Sequence, residues 1–404
     1  MAGPDRDASP SPPRVSLATV LVLVLVGLLG LLALALDYLS LWARMPLLDS
    51  DLWVFREGGR AFTEGGPLYF VTIGNNDWLY PPFGALVMAP LQLLPPEWLQ
   101  PAWWLVSLAL LAIVVAISFR PLLVRVRQGP GRALAFAGTT AAAVALAPSA
   151  DALGLGQIGI ILMALCLVDV VLLDGSRWQG ALVGVAAAVK LTPLVFVVYF
   201  LAVRRWRAAA TSAVAAAACW FVAALLRPDL WQQFVSERIA FRTTSMIQGF
   251  DRTDFNQSLR GMVDGLGQGP LVTGLWLVLS AAVLVPAVLA ARRAHGQGQL
   301  VLAAALVGMA SVLVSPISWH HHAVWVVPAL GALIGDGRAR WRCLVAGAGA
   351  LLMVVPPRTS GLLELPGDRF VVGYLIITAG LIAVAWPPAE TASVTADREA
   401  ADAR

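Results

Sequence analysis

Apolar runs long enough to cross a lipid bilayer recur from one end of the chain to the other. Barrel strands would instead alternate in hydrophobicity over about ten residues, so the runs predict helices. The first run is too long for the core of a signal peptide, which favours an uncleaved helix. The predicted spans are 16–36, 101–119, 133–148, 156–173, 207–226, 271–291, 299–314, 322–335, 342–356 and 370–386.

The stretch from 178 to 203 departs from this pattern. Its apolar pieces, 180–189 and 193–203, are each too short to cross about 30 Å of hydrocarbon at about 1.5 Å per residue. Lys190, the only lysine in the chain, and Pro193 lie between them. We predict two short helices here, or a re-entrant hairpin whose apex reaches into the membrane.

Composition agrees with a membrane protein. Of the 404 residues, 59% are hydrophobic and 13% are charged, and the mean hydropathy is +0.77. A soluble protein carries about 25% charged residues, so a cytosolic enzyme, a disordered scaffold and a secreted domain are excluded. We predict an all-α integral membrane protein, a polytopic helical bundle over 16–386 with about ten full spans. Residues 1–15 and 387–404 are predicted to be disordered cytoplasmic tails.

The arginines of the short loops give the orientation. Residues 120–132 contain four arginines, and 204–207 and 338–342 contain three each, whereas 149–155 and 315–321 contain none. Cytoplasmic loops are enriched in Lys and Arg, so both termini are predicted inside. Two large loops, 37–100 and 227–270, then lie outside the plasma membrane. The net charge of +4 reflects this topology and not nucleic-acid binding.

The first outer loop offers carboxylates beside aromatic residues. Asp49 and Asp51 could act as a general base or hold a cation. Alternatively, an Asp only caps a helix over 52–62. Tyr80 begins a Tyr-Pro-Pro sequence that leads into an apolar stretch over 83–94, which we predict to be an interfacial helix. Such aromatic residues anchor a protein at the membrane surface, and they also stack on sugars.

Two charged residues fall within apolar stretches. A cation at membrane depth is costly and usually paired or functional, so Lys190 suits a phosphate head group. Alternatively, its ammonium extends to the membrane surface. Asp169 lies near the cytoplasmic end of its predicted helix and could reach water.

The second outer loop carries amides and an arginine. Asn256 begins an Asn-Gln-Ser sequence, which matches the N-glycosylation acceptor pattern. Alternatively, the amides of Asn256 and Gln257, with the nearby Arg260, bind hydroxyls and a phosphate.

Three consecutive histidines, His320, His321 and His322, occupy the outer end of a predicted helix. Zinc ligands need helical spacing, and adjacent side chains on a helix point in different directions. We therefore favour a polar cluster in which one histidine titrates or donates to phosphate, and we predict no metal and no cofactor.

Seven short motifs occur in a fixed order. They are Asp51 with Val54 and Phe55, Gly66-Pro67-Leu68-Tyr69, Tyr80-Pro81-Pro82, Gly156-Gln157, Lys190-Leu191-Thr192-Pro193, Asn256-Gln257-Ser258-Leu259, and Ser315-Pro316-Ile317-Ser318-Trp319-His320-His321-His322. The ordered set resembles the actinobacterial polyprenyl-phosphate-mannose-dependent α-1,2-mannosyltransferases of the glycosyltransferase C superfamily.

The resemblance implies a fold of glycosyltransferase C type, a polyprenyl-phosphate-mannose donor, an extracytoplasmic active site and inversion at the anomeric carbon. It implies that Asp51 is the catalytic aspartate. Further candidates are Asp49 and His322 for catalysis, Lys190, Arg260 and His321 for the donor phosphate, and Tyr80, Asn256, Gln257 and Trp319 for the sugar or acceptor. The acceptor would be a glycolipid or glycan, such as a phosphatidylinositol mannoside or a lipomannan.

Two alternatives to mannosyl transfer stay open. The donor could carry another lipid-linked sugar, such as arabinofuranose. A transporter or lipid flippase would also suit an intramembrane lysine between broken helices. Against a transporter stand the lack of a visible inverted repeat and the size of the two outer loops.

Overall fold

The computed structural model describes residues 50–69, 72–73, 76–236, 256–267, 269–354 and 369–386. The predicted first span at 16–36, the two tails and Asp49 lie outside the described residues. Those predictions therefore stay predictions.

The described residues are almost entirely helical. In chain order the α-helices are α1 (Asp51–Glu64), α2 (Pro82–Met88), α3 (Pro96–Ser118), α4 (Arg120–Leu123), α5 (Pro130–Val144), α6 (Ala147–Gly154), α7 (Gly159–Leu172), α8 (Ala181–Val189), α9 (Val195–Ala202), α10 (Trp206–Leu226), α11 (Pro228–Phe234), α12 (Leu259–Asp264), α13 (Pro270–Gly296), α14 (Leu300–Val314), α15 (Val326–Ile334), α16 (Arg340–Val354) and α17 (Arg369–Ala385). Short 3₁₀ helices occupy Ala89–Leu93, Thr192–Leu194 and His320–Trp325. Strands β1 (Thr72–Ile73) and β2 (Asn76–Asp77) form one antiparallel pair, with Thr72 opposite Asp77.

Among these residues, three helices are long and apolar enough to cross a bilayer, namely α3, α10 and α13. These helices expose large apolar side chains: Phe221 on α10 is 63% exposed and Leu271 on α13 is 89% exposed. Contact of such side chains with water would be unfavourable. These surfaces fit contact with lipid, and the all-α membrane protein predicted from the sequence agrees with them. α14, with 15 residues, would reach only about 22 Å. The predicted number of full spans therefore stays a prediction.

The predicted span 133–148 ends early. α5 stops at Val144, and α6 follows at an angle of 75°. Pro148 explains the break, because proline is tolerated in the first turn of a helix but not in its interior. Residues 149–155, expected as a loop, therefore continue α6 to Gly154.

The two short helices predicted between 180 and 203 are confirmed as α8 and α9. Extended backbone at Lys190 separates them (φ −144°, ψ 136°). Asp169 on α7 does not reach water, which corrects our expectation. Its carboxylate is fully buried and accepts from the backbone N–H groups of Gly180 and Val183, at 2.5 and 2.9 Å. Asp169 thus supplies the unpaired N–H groups at the start of α8 with an acceptor.

Small residues let α8 pack closely on α10. A side chain at Gly180 or Gly184 would overlap the backbone of α10, at Ala208 and Ser212 respectively. Small residues commonly line such close helix contacts in membranes. The contact fixes α8, and with it the position of Lys190 at its end.

Candidate functional site

The site begins at the first turn of α1. Ser50 is the N-cap, and its Oγ accepts from the N–H of Trp53 at 3.2 Å. The expectation that an aspartate caps this helix is therefore wrong for Asp51, which is its first residue. The Asp51 carboxylate is not used for capping and is left for other partners.

A tight turn between α6 and α7 meets the start of α1. The N–H of Leu52 donates to the carbonyl of Leu155 at 3.1 Å. Gly156 has a φ of +70°, and a side chain there would overlap Leu52. Only glycine fits both the left-handed conformation and this close approach, and the turn brings Gln157 against Asp51.

Gln157 lies beside the Asp51 carboxylate. Its side chain is 2% exposed, and its amide acts as a hydrogen-bonding group that lowers the pKa of Asp51. The Tyr80 hydroxyl lies 3.5 Å from Gln157 Oε1, so that oxygen faces a donor and the amide nitrogen is free to donate to Asp51. Sequence reasoning noted Gly156-Gln157 only as a motif and gave Gln157 no role.

Tyr80 lies near both Asp51 and Lys190. The Lys190 Nζ is 5.3 Å from the centre of the Tyr80 ring. The Tyr80 carbonyl accepts from the Tyr69 hydroxyl and from Trp78 Nε1, each at 2.8 Å. These bonds fix the Tyr80 backbone, and its ring forms one wall beside the ammonium.

Lys190 joins the group around Asp51. Its Nζ lies 3.2 Å from Nε2 of His322, and its charge acts on the Asp51 carboxyl. The structure therefore brings together Asp51, Tyr80, Lys190 and His322, four of the residues selected from the sequence.

The three histidines point to three different partners. His320 Nδ1 lies 3.5 Å from Asp151 Oδ2 on α6. His321 is 5% exposed and packs edge-on against His322, with ring centres 4.6 Å apart. Trp319 stacks near both, at 5.7 Å from His321 and 5.6 Å from His322. Within the described part of the chain, no three His, Cys, Asp or Glu side chains converge as metal ligands would.

The hydrogen bonds of His322 indicate which of its nitrogens carries the proton. Its Nδ1 accepts from the backbone N–H of Trp319 at 3.3 Å. In a neutral ring the proton is then on Nε2, which faces the Lys190 ammonium. The two nitrogens lie 3.2 Å apart, so an anion placed beside them would accept from both.

A cavity of about 570 Å³, counted with its open mouth, adjoins this pair. Lys190 and His322 are part of its wall. The rest of the lining is mostly apolar with four hydroxyl side chains, and includes Leu162, Met163, Cys166, Phe196, Trp325, Thr192, Ser311, Ser315 and Ser318. An amphiphile with an anionic head and an apolar tail would match this lining.

Residues 256–258 fasten the segment before the histidines. Asn256 Nδ2 donates to the Pro316 carbonyl at 2.9 Å, and its Oδ1 accepts from the Ser318 N–H at 2.9 Å. The Gln257 N–H donates to the Ser318 carbonyl at 2.5 Å. Both polar atoms of the Asn256 side chain are therefore engaged with protein. Sugar binding by Asn256 and Gln257 stays a prediction.

Arg260 has partners of its own. It pairs with Asp264 at 2.6 Å, donates to Thr273 at 3.1 Å and lies 5.8 Å from the Trp276 ring centre. None of these contacts involves Lys190 or His322. The structure therefore does not join Arg260 to the lysine, and its expected role at the donor phosphate stays a prediction.

Burial governs the ionisation of Asp51. It raises the pKa of the carboxyl, and the Gln157 hydrogen bond and the Lys190 charge offset part of that rise. A carboxylate with a raised pKa is a stronger base than an ordinary aspartate and is suited to accept a proton.

Comparison with known proteins gives the family. Residues 78–316 match glycosyltransferase family 87. A relative from Mycolicibacterium smegmatis, named a polyprenol-phosphate-mannose-dependent alpha-(1-2)-phosphatidylinositol mannoside mannosyltransferase, is 35% identical over 340 residues, 76% of each chain. A relative from Mycobacterium tuberculosis, named a polyprenol-phosphate-mannose-dependent alpha-(1-2)-phosphatidylinositol pentamannoside mannosyltransferase, is 35% identical over 87% of this chain and 80% of its own. No solved structure matches.

The family match covers more than half of the chain, and the resemblance seen in the ordered motifs is confirmed. The match includes Tyr80, Gln157 and Lys190 and ends just before the histidines. This chain belongs to glycosyltransferase family 87.

Proposed function

We propose that the protein transfers mannose from polyprenyl-phosphate-mannose to a glycolipid or glycan acceptor. The transfer inverts the anomeric carbon, forms an α-1,2 linkage and takes place on the extracytoplasmic face of the plasma membrane. One observation carries the proposal: the Lys190 charge acts on the Asp51 carboxylate, and the Lys190 ammonium and His322 Nε2 lie 3.2 Å apart at the wall of a largely apolar cavity. The names of the relatives support the donor and the linkage.

The donor phosphate has the chemistry that Lys190 and His322 require. Its oxygens accept from the ammonium and from the Nε2–H of His322, and the first part of the polyprenyl chain lies along the apolar wall. Hydrogen bonds to charged groups are short and strong, so the pair stabilises the negative charge that grows on the phosphate as the bond to C1 breaks. This gives His322 the role of a donor, and His321 supports its ring.

Asp51 acts on the acceptor. An acceptor hydroxyl loses its proton to the carboxylate as its oxygen attacks C1 of mannose, and the bond from C1 to the phosphate oxygen breaks. The electron pair of that bond leaves with polyprenyl phosphate. A single displacement of this kind inverts the anomeric configuration. A phosphatidylinositol mannoside fits the names of the relatives, and Tyr80 and Trp319 are aromatic surfaces on which a sugar ring can stack.

The test is mannose transfer in membranes that contain the protein, with labelled polyprenyl-phosphate-mannose and a phosphatidylinositol mannoside. A mannosylated acceptor and free polyprenyl phosphate are expected. Polyprenyl-phosphate-arabinofuranose serves as the competing donor. Movement of the lipid across sealed vesicles without transfer would instead favour a flippase.

The proposed face of the membrane predicts where cysteine probes react. On a background without Cys166, Cys219 and Cys343, a cysteine placed near residue 66 should react with a membrane-impermeant maleimide in intact cells. A cysteine near residue 128 should react only after permeabilisation, because the arginines of 120–132 favour the cytoplasm. The reverse labelling pattern would contradict this orientation.

The ionisation of Asp51 predicts an acid limb in the pH profile. The base works ionised, so turnover falls as the pH drops through its pKa, which burial raises. Gln157→Met removes a hydrogen bond that lowers this pKa, so the limb should move to higher pH. Gln100→Met is the matched control, because Gln100 is also buried and donates to the carbonyl of Leu153. An unmoved limb in Gln157→Met would rule out Asp51 as the titrating group.

A further inference from the structure

Arg227 joins the two large outer loops. It lies between α10 and α11, and its side chain is 13% exposed. Its Nη1 donates to the carbonyls of Ala61 and Phe62, each at 2.9 Å, and its Nη2 donates to the carbonyl of Gly66 at 3.0 Å. These carbonyls belong to the last turn of α1 and the residues that follow it, so Arg227 caps the C-terminal end of the helix that begins with Asp51.

The remaining donors of Arg227 bind Asp229. Its Nε donates to Oδ1 at 2.9 Å and its Nη2 to Oδ2 at 2.7 Å. A guanidinium has five N–H groups, and these five bonds use all of them. Arg227 therefore has no donor left for a phosphate or a sugar, although it lies in the same outer region as the site. Its contacts serve the position of α1.

The other end of α1 is fixed at Asp51. The Leu52 N–H donates to the Leu155 carbonyl, and the Gln157 amide interacts with the Asp51 carboxylate. Between the two ends, a side chain at Gly59 would overlap the backbone of Met88 and Ala89, so α1 lies directly on α2. A helix of 14 residues is about 20 Å long. A small tilt at one end therefore displaces the other end relative to its partners.

We infer that Arg227 is a positioning residue, which holds the end of α1 so that Asp51 stands at the correct angle to Gln157 and Lys190. The effect on turnover that this inference predicts rests on the proposed function. A displacement of about 1 Å at reacting groups can cost about 10²-fold in rate. Since Arg227 touches neither substrate, its loss should affect turnover and leave donor affinity alone.

The experiment compares Arg227→Ala with Arg60→Ala. Arg60 lies on α1 itself and its loss changes the charge equally, but it is 51% exposed and pairs with Glu57 and Glu64 at the surface. Arg227→Ala should lower kcat about 10–100-fold with the donor KM within about twofold of wild type, and Arg227→Lys should restore part of the loss. Arg60→Ala should match the wild type. A fall that only follows the amount of folded protein would overturn the inference.

Hydrogen exchange tests whether Arg227 clamps the C-terminal end of α1, and this measurement needs no mannosyl transfer. In Arg227→Ala, the amides of both ends of α1 should exchange faster, whereas Arg60→Ala should leave them unchanged. If Arg227→Ala does not fold, Asp229→Asn loosens the guanidinium and should show the same effects in weaker form. Unchanged exchange in both variants would overturn the clamp. A wild-type protein that transfers no mannose, with α1 still loosened in Arg227→Ala, would overturn the proposed function and leave the clamp intact.

Discussion

Replacing Asp51 with Asn should lower mannose transfer about 10²–10⁴-fold, the contribution typical of a general base. Asparagine keeps the size and polarity of the side chain but cannot accept the hydroxyl proton. Gln157 can still hydrogen-bond to it, so α1 should keep its place. Donor binding should therefore survive, and the measurement is initial rate against donor concentration in membranes with equal amounts of protein.

Two further variants serve as a matched control and as a test of the competing carboxylate. Glu57→Gln is the matched control, because Glu57 is a carboxylate on the same helix that pairs with Arg56 at 2.7 Å. It should transfer at the wild-type rate. Asp49→Asn tests the competing carboxylate, which lies outside the described residues. If Asp49→Asn is inactive and Asp51→Asn transfers normally, Asp51 is the wrong residue; if both transfer normally, neither carboxylate is the base.

The local pattern of apolar residues was sufficient to predict much of the fold. The apolar pieces on either side of Lys190 are too short to span, and α8 and α9 end close to the predicted positions. The helix expected over 52–62 occurs as α1. In each case the signal lies within about a dozen consecutive residues, where helix length and periodicity are decided.

The partners of the site residues could not be predicted from the sequence, because they depend on contacts between residues far apart in the chain. Gln157 meets Asp51 only because Gly156 turns the chain against Leu52. Asp151 meets His320 across 169 positions of the chain. The amide of Asn256 was open to two functional interpretations, and its bonds to Pro316 and Ser318 belong to neither. No periodicity reports such pairings; only the packed helices bring them about.

Lys190→Ala should lower kcat/KM for the donor about 10²–10³-fold, the loss typical when one donor to a developing anion is removed. The ammonium and Nε2 of His322 lie 3.2 Å apart at the cavity wall, where the donor phosphate would accept from both. Lys190→Arg keeps the charge but not the shape of the ammonium, so it should recover part of the rate. Wild-type donor kinetics in Lys190→Ala would contradict the role.

A second measurement of the same prediction needs no turnover, because Lys190 is the only lysine in the chain. A small acetylating reagent can then modify only this side-chain amine and the amino terminus, which peptide mass spectrometry separates. Polyprenyl phosphate, the proposed leaving product, should slow acetylation of Lys190 and leave the amino terminus unaffected. His322→Ala removes one of the two phosphate donors, so more polyprenyl phosphate should be needed for the same protection. Equal acetylation of Lys190 with and without saturating polyprenyl phosphate would place the phosphate elsewhere.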